Sequence, residues 1–353
     1  MKARDKFMKL AVPVLSILLA FIIGGVIIIG LGKNPLEAYG FLFKGALGTS
    51  SKFAQTLEVA CPLIFTGLAA AFAYKCGMFN LGGEGQFIMG SIVSVVVSTQ
   101  TGITGTPAII ISLICGALAG GVWGAIPGIL KITRGLNEMI VSIMLNYVAT
   151  LFMGAVFTNF LRDGSVPQTP AVPKESQIPN LTEGFRVHYG IVIAILLAAA
   201  LYYFMFYTSA GFKLRAVGMN ATAAKFSGYA VKKIILFSFI CSGAIAGLGG
   251  SIELHGKQFR LMQGYGSGFG FDGVAIALIA QLNPIATVIV AFFFGILRKG
   301  ASTLQAGMKI PTSVVDIIQA LIIVFAVAGT ALVRLPQVQQ FFHKHFSGNR
   351  KEA

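Results

Sequence analysis

The sequence predicts an all-α polytopic membrane protein of about ten transmembrane helices, several of them broken or short, with both termini in the cytoplasm. Three observations predict it. Of 353 residues, 56% are hydrophobic and only 11% charged, against about 45–50% and about 25% in an ordinary soluble domain. Long uncharged runs recur along the chain, and roughly 20 apolar residues cross the hydrocarbon core as a helix. Glycine is abundant, at 43 residues, which suits helices that approach closely in lipid. Unpaired backbone groups are too costly in lipid for anything but helices or closed barrels, and the ten-residue alternation of a barrel is absent. The chain reads as one transmembrane domain over residues 1–353.

The segments follow in order. Lys2, Arg4, Lys6 and Lys9 precede the uncharged run Leu10–Gly32. That run is too long for a signal-peptide core, so it reads as a retained first span entered from the cytoplasm. Then come Leu57–Ala73, a short Phe87–Val97, Ala108–Leu130, Ile140–Phe157, Tyr189–Tyr207, Ile234–Leu254, the short pair Gly273–Leu282 and Ile285–Leu297, and Val314–Val333. Ten crossings from an inside start place most of the Lys and Arg residues on inner segments, as the positive-inside rule requires. Arg298 and Lys299 fit this scheme badly. The inner segments include a loop at 208–233 and a tail at 335–353. Residues 160–187 form an outer loop with four prolines, read either as a plain connector or as a landing surface for an external partner.

Glycine-rich stretches interrupt two spans, GMFNLGGEGQFIMG at 77–90 and HGKQFRLMQGYGSGFGFDG at 255–273. Irregular backbone at membrane depth survives only where protein or a water-filled path surrounds it, and one interruption in each half is the pattern of a transporter.

Other chemistries are excluded. The net charge of +15 sits at the flanks of apolar runs rather than in a separate domain, so it speaks for topology and not for nucleic acid. There is no GxxxxGK[ST] cradle, HExxH or GxSxG. His188 and His255 stand at membrane edges, His343 and His345 in the tail. Cys61, Cys76, Cys115 and Cys241 lack CxxC spacing and read as packed thiols.

GLNEMIVSIMLNYVA at 135–149 opens the fifth span. Glu138, Ser142 and Asn146 recur at i, i+4 and i+8 and so share one helix face. Asn137 reads as an N-cap. Glu138 suits either the positive helix end or a polar path, and Asn146 either an interhelical hydrogen bond, the preferred reading, or a path lining.

Together with FNLGGEGQ at 79–86, GFGFDGVAIALIAQLNP at 268–284 and the 214–233 stretch, this motif resembles the membrane-spanning permease subunits of bacterial ATP-binding-cassette importers. The resemblance lies with the ribose and branched-chain amino-acid permease group. It is nearest to the nucleoside permeases that work with basic-membrane-lipoprotein-type binding proteins. It implies a transport subunit, not an enzyme, with no cofactor of its own, ATP and Mg being bound by a partner ATPase. It further implies a second permease subunit, expected to be a distinct homologous chain, an extracellular substrate-binding lipoprotein, and a nucleoside cargo. Glu84, Gln86, Glu138 and Asn146 become candidates for the translocation path or gate.

The same resemblance implies a cytoplasmic coupling helix that docks on the ATPase, at Asn220–Gly228. Asn220 is a plausible N-cap, Ala223 and Ala224 favour helix, and Gly228 stops it. Thr222–Gly228 echoes the EAAxxxG loop of related importers, with Thr222 where that pattern has Glu. Phe226 would be an anchor and Lys225 a rim charge; the competing reading is a basic loop that only fixes topology. Two further functions remain open from sequence: a cassette permease for a simple sugar or branched-chain amino acid, and a stand-alone secondary transporter using Asp272 or Asp316, both near predicted helix starts.

Overall fold

The computed structural model describes the backbone of residues 2–182 and 185–332 and the side chains of residues 15–182 and 187–329. The expectations about the 335–353 tail, His343, His345 and the side chains of Lys2, Arg4, Lys6 and Lys9 lie outside the described residues. The chain divides into two compact units, Met1–Gly45 with Leu297–Ala353, and Ala46–Ile296.

In the first unit, α1 (Lys2–Gly30) is followed after a 115° bend by α2 (Pro35–Leu47). Asn34 accepts from Leu36 N at 3.0 Å and Pro35 takes the first helical position, so α2 starts where the cap chemistry dictates. The Tyr39 ring of α2 meets Phe21 of α1 at 5.0 Å. The long helix α13 (Thr312–Leu332) lies along α1, with Ile318 against Gly24. The sequence reading missed α2.

The second unit begins with α3 (Ser50–Lys75), buried on every side from Ala60 to Tyr74, as a helix apolar all round must be. It is followed by α4 (Gly83–Gln100), α5 (Gly105–Arg134), α6 (Glu138–Ala155, continued by a π-turn Val156–Phe160) and α7 (Gly190–Tyr207). The short α8 (Ser209–Met219) and α9 (Ala221–Phe226) follow. Next come α10 (Val231–Glu253, continued by a π-turn Leu254–Gln258), the short α11 (Phe269–Ile279) and α12 (Pro284–Met308), whose residues from Leu297 on belong to the first unit. A two-stranded antiparallel ribbon, β1 (Asn180–Thr182) and β2 (Phe185–His188), lies between α6 and α7. Helices α4, α5 and α10 form the closest layer. A Cβ placed on Gly120 of α5 would lie 2.3 Å from the Gly243 carbonyl and 2.7 Å from Gly247 Cα. The backbones of α5 and α10 touch there, and only glycine permits it.

A helix occurs at each of the ten predicted segments. Among the described residues, seven helices are long and apolar enough to cross a membrane: α3, α5, α6, α7, α10, α12 and α13. The bent pair α1–α2 brings the number to eight if it is one span. The segment predicted as short at Ile285–Leu297 is instead the 25-residue α12, which carries Arg298 and Lys299 within it. The chain is thus an all-α polytopic membrane protein, with interruptions at both predicted breaks.

Candidate functional site

The first break, residues 76–82, buries Cys76, Asn80 and Gly82, leaves Phe79 exposed, and is fastened by amides. Asn80 Nδ2 donates to Gln86 Oε1 at 3.0 Å, and Gln86 Nε2 returns a bond to Asn80 Oδ1 at 3.1 Å. Asn80 Nδ2 also reaches Ser242 Oγ at 2.9 Å, whose own hydroxyl donates to the Ala69 carbonyl at 2.7 Å. Asn80 Oδ1 accepts from Gly82 N at 2.9 Å, which turns the chain into α4. Asn146 approaches from α6: its Oδ1 accepts from Gly85 N at 2.8 Å and its Nδ2 donates to the Leu81 carbonyl at 2.9 Å. One side chain therefore serves a donor orphaned at the start of α4 and an acceptor in the break.

Glu84 ties the two breaks together. Its Oε2 accepts from Gly268 N at 2.9 Å, immediately before α11. A carboxylate there complements the positive end of the helix. The structure thus gathers Glu84, Gln86 and Asn146 around residues 76–86. Glu138 stands apart, two turns from Asn146 on the same buried face of α6, and pairs with Lys131 Nζ at 2.8 Å. Asn137 caps α6, accepting from Met139 N at 2.9 Å and Ile140 N at 3.4 Å. Asn80 and Ser242, central to this network, were not singled out from the sequence. An Asn two residues before Gly82 is an Asx-turn signal that would have found the first.

At the same end of the unit, Asn220 ends α8 and begins α9, its Oδ1 accepting from Ala223 N at 2.9 Å. Gly228 follows in the left-handed conformation, with N–H to the Lys225 carbonyl at 3.0 Å. Ala224 is buried, whereas Ala223 and Lys225 face outward and Phe226 is 88% exposed. Gly218 of α8 lies on the end of α3, where a Cβ would come within 2.1 Å of the Lys75 carbonyl, and Gly77 faces it in return. Lys75 Nζ and the Arg215 guanidinium stand 5.7 and 5.2 Å from the ring centre of Phe206, a cation–π clasp on α7.

At the opposite end of α10, the 161–189 loop is laced onto the second break. Val172 N donates to the Phe259 carbonyl at 2.8 Å, and Thr169 N to that of Leu261 at 3.0 Å. Buried His255 bridges the Ser176 carbonyl at 2.7 Å and Ser94 Oγ at 3.0 Å. His188 packs its ring on Gly256, and its Nδ1 accepts from Gly190 N at 3.1 Å. Burial, helped by the charge of Lys257, pushes its pKa down to about 4, so the ring is neutral near pH 7. A cleft of about 400 Å³, lined by Thr106, Lys174, Gln177, Asn180, Gly256 and Phe259 among others, opens beside the π-turn.

A helical membrane protein with two polar-fastened breaks and an exposed capped helix at one end has the make-up of a transport component. Residues 53–327 match the family described as "Branched-chain amino acid transport system / permease component", and the chain belongs to that family. The guanosine ABC transporter permease protein NupP of Bacillus subtilis is 35% identical, covering 92% of this chain and 94% of its own length. The nucleoside ABC transporter permease protein NupB of Lactococcus lactis is 33% identical, with 95% of each chain covered. The glucose ABC transporter permease protein TsgB13 of Haloferax volcanii is 30% identical, covering 90% of this chain and 87% of its own. The chain is a multi-pass permease subunit of the cell membrane, and the stand-alone secondary transporter is set aside.

Proposed function

We propose that the chain is the membrane subunit of an ATP-driven importer that carries nucleosides. The observation that carries this reading is the near full-length likeness to permeases named for guanosine and for nucleosides. As a permease component it works with an ATPase and a second permease subunit. We take the second subunit to be a distinct homologous chain and the cargo to be delivered by an extracellular binding lipoprotein. The domain spans 1–353 and crosses ten times, with the short segment Gly273–Leu282 as the eighth crossing. The 160–187 loop lies outside, and the 208–233 loop and the 335–353 tail lie inside.

In this reading Asn220–Gly228 docks on the ATPase. Exposed Phe226 supports it, since a topology loop needs Lys and Arg but no outward aromatic on a capped helix. Glu84, Gln86 and Asn146 hold the shape of the inner break, and Glu138 with Lys131 serves as an inner gate. Closure of the ATPase would move α9 and, through Gly218 and Gly77, the first break, biasing a two-state packing.

Gentle solubilisation of the tagged chain from its own membrane tests this. An ATPase, a second permease and a lipoprotein holding a nucleoside should co-purify. A chain recovered alone under crosslinking overturns the importer assembly. A lipoprotein holding a hexose instead would favour the sugar reading, which the likeness to the glucose permease supports.

A further inference from the structure

Helix α8 folds back onto the ends of α7 and α3 through one face. Gly211, Arg215 and Gly218 recur on it at i, i+4 and i+7 and so share that face. A Cβ on Gly211 would meet the Phe204 carbonyl and Met205 of α7, and one on Gly218 the Lys75 carbonyl of α3. Arg215, between them, turns towards the bundle, its guanidinium 5.2 Å from the ring centre of Phe206 on α7. Lys213 and Met219 of α8 and Phe226 of α9 are exposed on other faces.

A guanidinium has five N–H donors. Among the described residues those of Arg215 meet no hydrogen-bond acceptor and no carboxylate, and its Nε is buried. The stretch 208–233 holds five basic residues and no Asp or Glu, so no acid lies nearby in sequence. Lys75 Nζ adds a second cation 5.7 Å from the same ring. A buried N–H without an acceptor is costly. The planar fork of Arg matches the oxygens of a phosphate.

The depth of the site names the source of the phosphate. Helix α7 has 18 residues, about 27 Å of helix, close to the thickness of the hydrocarbon core. In its last turns Tyr203 and Tyr207 are 63% and 68% exposed, their rings stacked at 5.8 Å. Outward tyrosines at the end of a spanning helix mark the level of the lipid headgroups. Phe206 is in the same turn, so Arg215 is held at headgroup depth. A soluble partner would meet the outward Lys213, Met219 and Phe226, not this inward face.

We propose that Arg215, with Lys75 adding positive potential, binds the phosphate of an anionic phospholipid and so anchors α8, next to the exposed α9, to the membrane surface. This requires only that α7 crosses the membrane and is independent of the cargo.

The test is binding of phosphatidylglycerol, against phosphatidylcholine, to the purified full-length chain in detergent, followed by native mass spectrometry for the wild type, Arg215→Gln and Lys213→Gln. The wild type should prefer phosphatidylglycerol. Loss of charge-assisted hydrogen bonds predicts a roughly 10- to 100-fold weaker hold in Arg215→Gln. The exposed Lys213→Gln should change it by less than about fivefold. No preference in the wild type, no loss in Arg215→Gln, or equal losses in the two variants overturns the proposal. Displacement of the lipid by inorganic phosphate assigns the site to the free anion and also overturns it. So does an Arg215→Gln chain that loses its ATPase in pull-down while holding the lipid as before, which would place an acidic protein partner there. If Arg215→Gln does not assemble, deuterium exchange of the wild type decides, in nanodiscs of phosphatidylcholine alone and in an equal mixture with phosphatidylglycerol. Slower exchange across 209–219 with the anionic lipid supports the site, and equal exchange overturns it.

Discussion

Replacing Asn146 with alanine removes one amide that meets two buried backbone groups. Gly85 N–H loses its acceptor at 2.8 Å and the Leu81 carbonyl its donor at 2.9 Å. The two helices are in backbone contact there, a Cβ on Gly85 falling 3.1 Å from Asn146 Cα. Each group left unsatisfied costs about 1–3 kcal/mol, so the substitution should cost about 2–6 kcal/mol. At roughly 2–4 °C per kcal/mol for a large domain, the melting temperature should fall by about 4–24 °C. The assay is thermal unfolding of the purified chain in mild detergent, with deuterium exchange read across residues 77–86, which should rise. Thr150→Val is the control, because the Thr150 hydroxyl bonds only to the Asn146 carbonyl of its own helix and its loss should cost under about 1 kcal/mol. An Asn146→Ala chain that melts within about 2 °C of wild type, with unchanged exchange, refutes the claim that Asn146 fastens the break.

Phe226→Ala should leave the melting temperature alone, since the ring is 88% exposed, yet weaken ATPase association about tenfold or more, as measured by pull-down titration. Gly218→Val should leave ATP hydrolysis running but uncouple it from uptake in proteoliposomes, because a Cβ there forces α8 off the Lys75 carbonyl. Glu138→Gln removes the charge of a buried carboxylate but keeps an amide that can still accept from Lys131, so assembly on size exclusion should be spared while uptake falls; unchanged uptake removes it from the gate. His188 has its pKa lowered to about 4 from about 6.5, so the unfolded segment takes up a proton first. Its contribution is intact above pH 6.5 and is lost as pH falls to 4, by about 3 kcal/mol. Deuterium exchange around His188 should rise over that window, and His188→Asn should flatten it.

The helices were legible because lipid imposes a simple rule on composition, and each predicted segment carries one. Their ends were less so. Arg298 and Lys299 made α12 look as though it stopped near Leu297, yet the helix runs on to Met308. Charge marks where a helix meets water, not where its hydrogen bonds end. The caps at Asn137 and Asn220 and the stop at Gly228 are local chemistry and were read correctly. The partners of Asn80, Glu84 and Asn146 are residues brought close only by tertiary packing: Ser242 for Asn80, Gly268 for Glu84, and Leu81 with Gly85 for Asn146. A single sequence shows that such side chains are polar, not whom they meet. Arg215 escaped for the converse reason, since being unpartnered is a property of a surrounding that only the fold supplies.

The polar residues at the first break are fastened mainly to one another and to backbone. Around residues 76–86 Asn80, Gln86 and Asn146 spend their bonding capacity inside the chain, and Glu84 reaches across to the second break at Gly268. Such a network holds a broken helix in one shape and transmits displacement, because packed, fully bonded elements shift between discrete arrangements rather than deform smoothly. It begins where Gly77 meets Gly218, a short run from the exposed α9. It continues through Glu84 into α11 and the 259–268 loop, which is itself bonded to the 161–189 loop. The bonded amides around residues 76–86 suit a lever. A transporter driven by a distant ATPase needs rigid backbone to carry such a displacement, and the long α3 and α10 pack against each other.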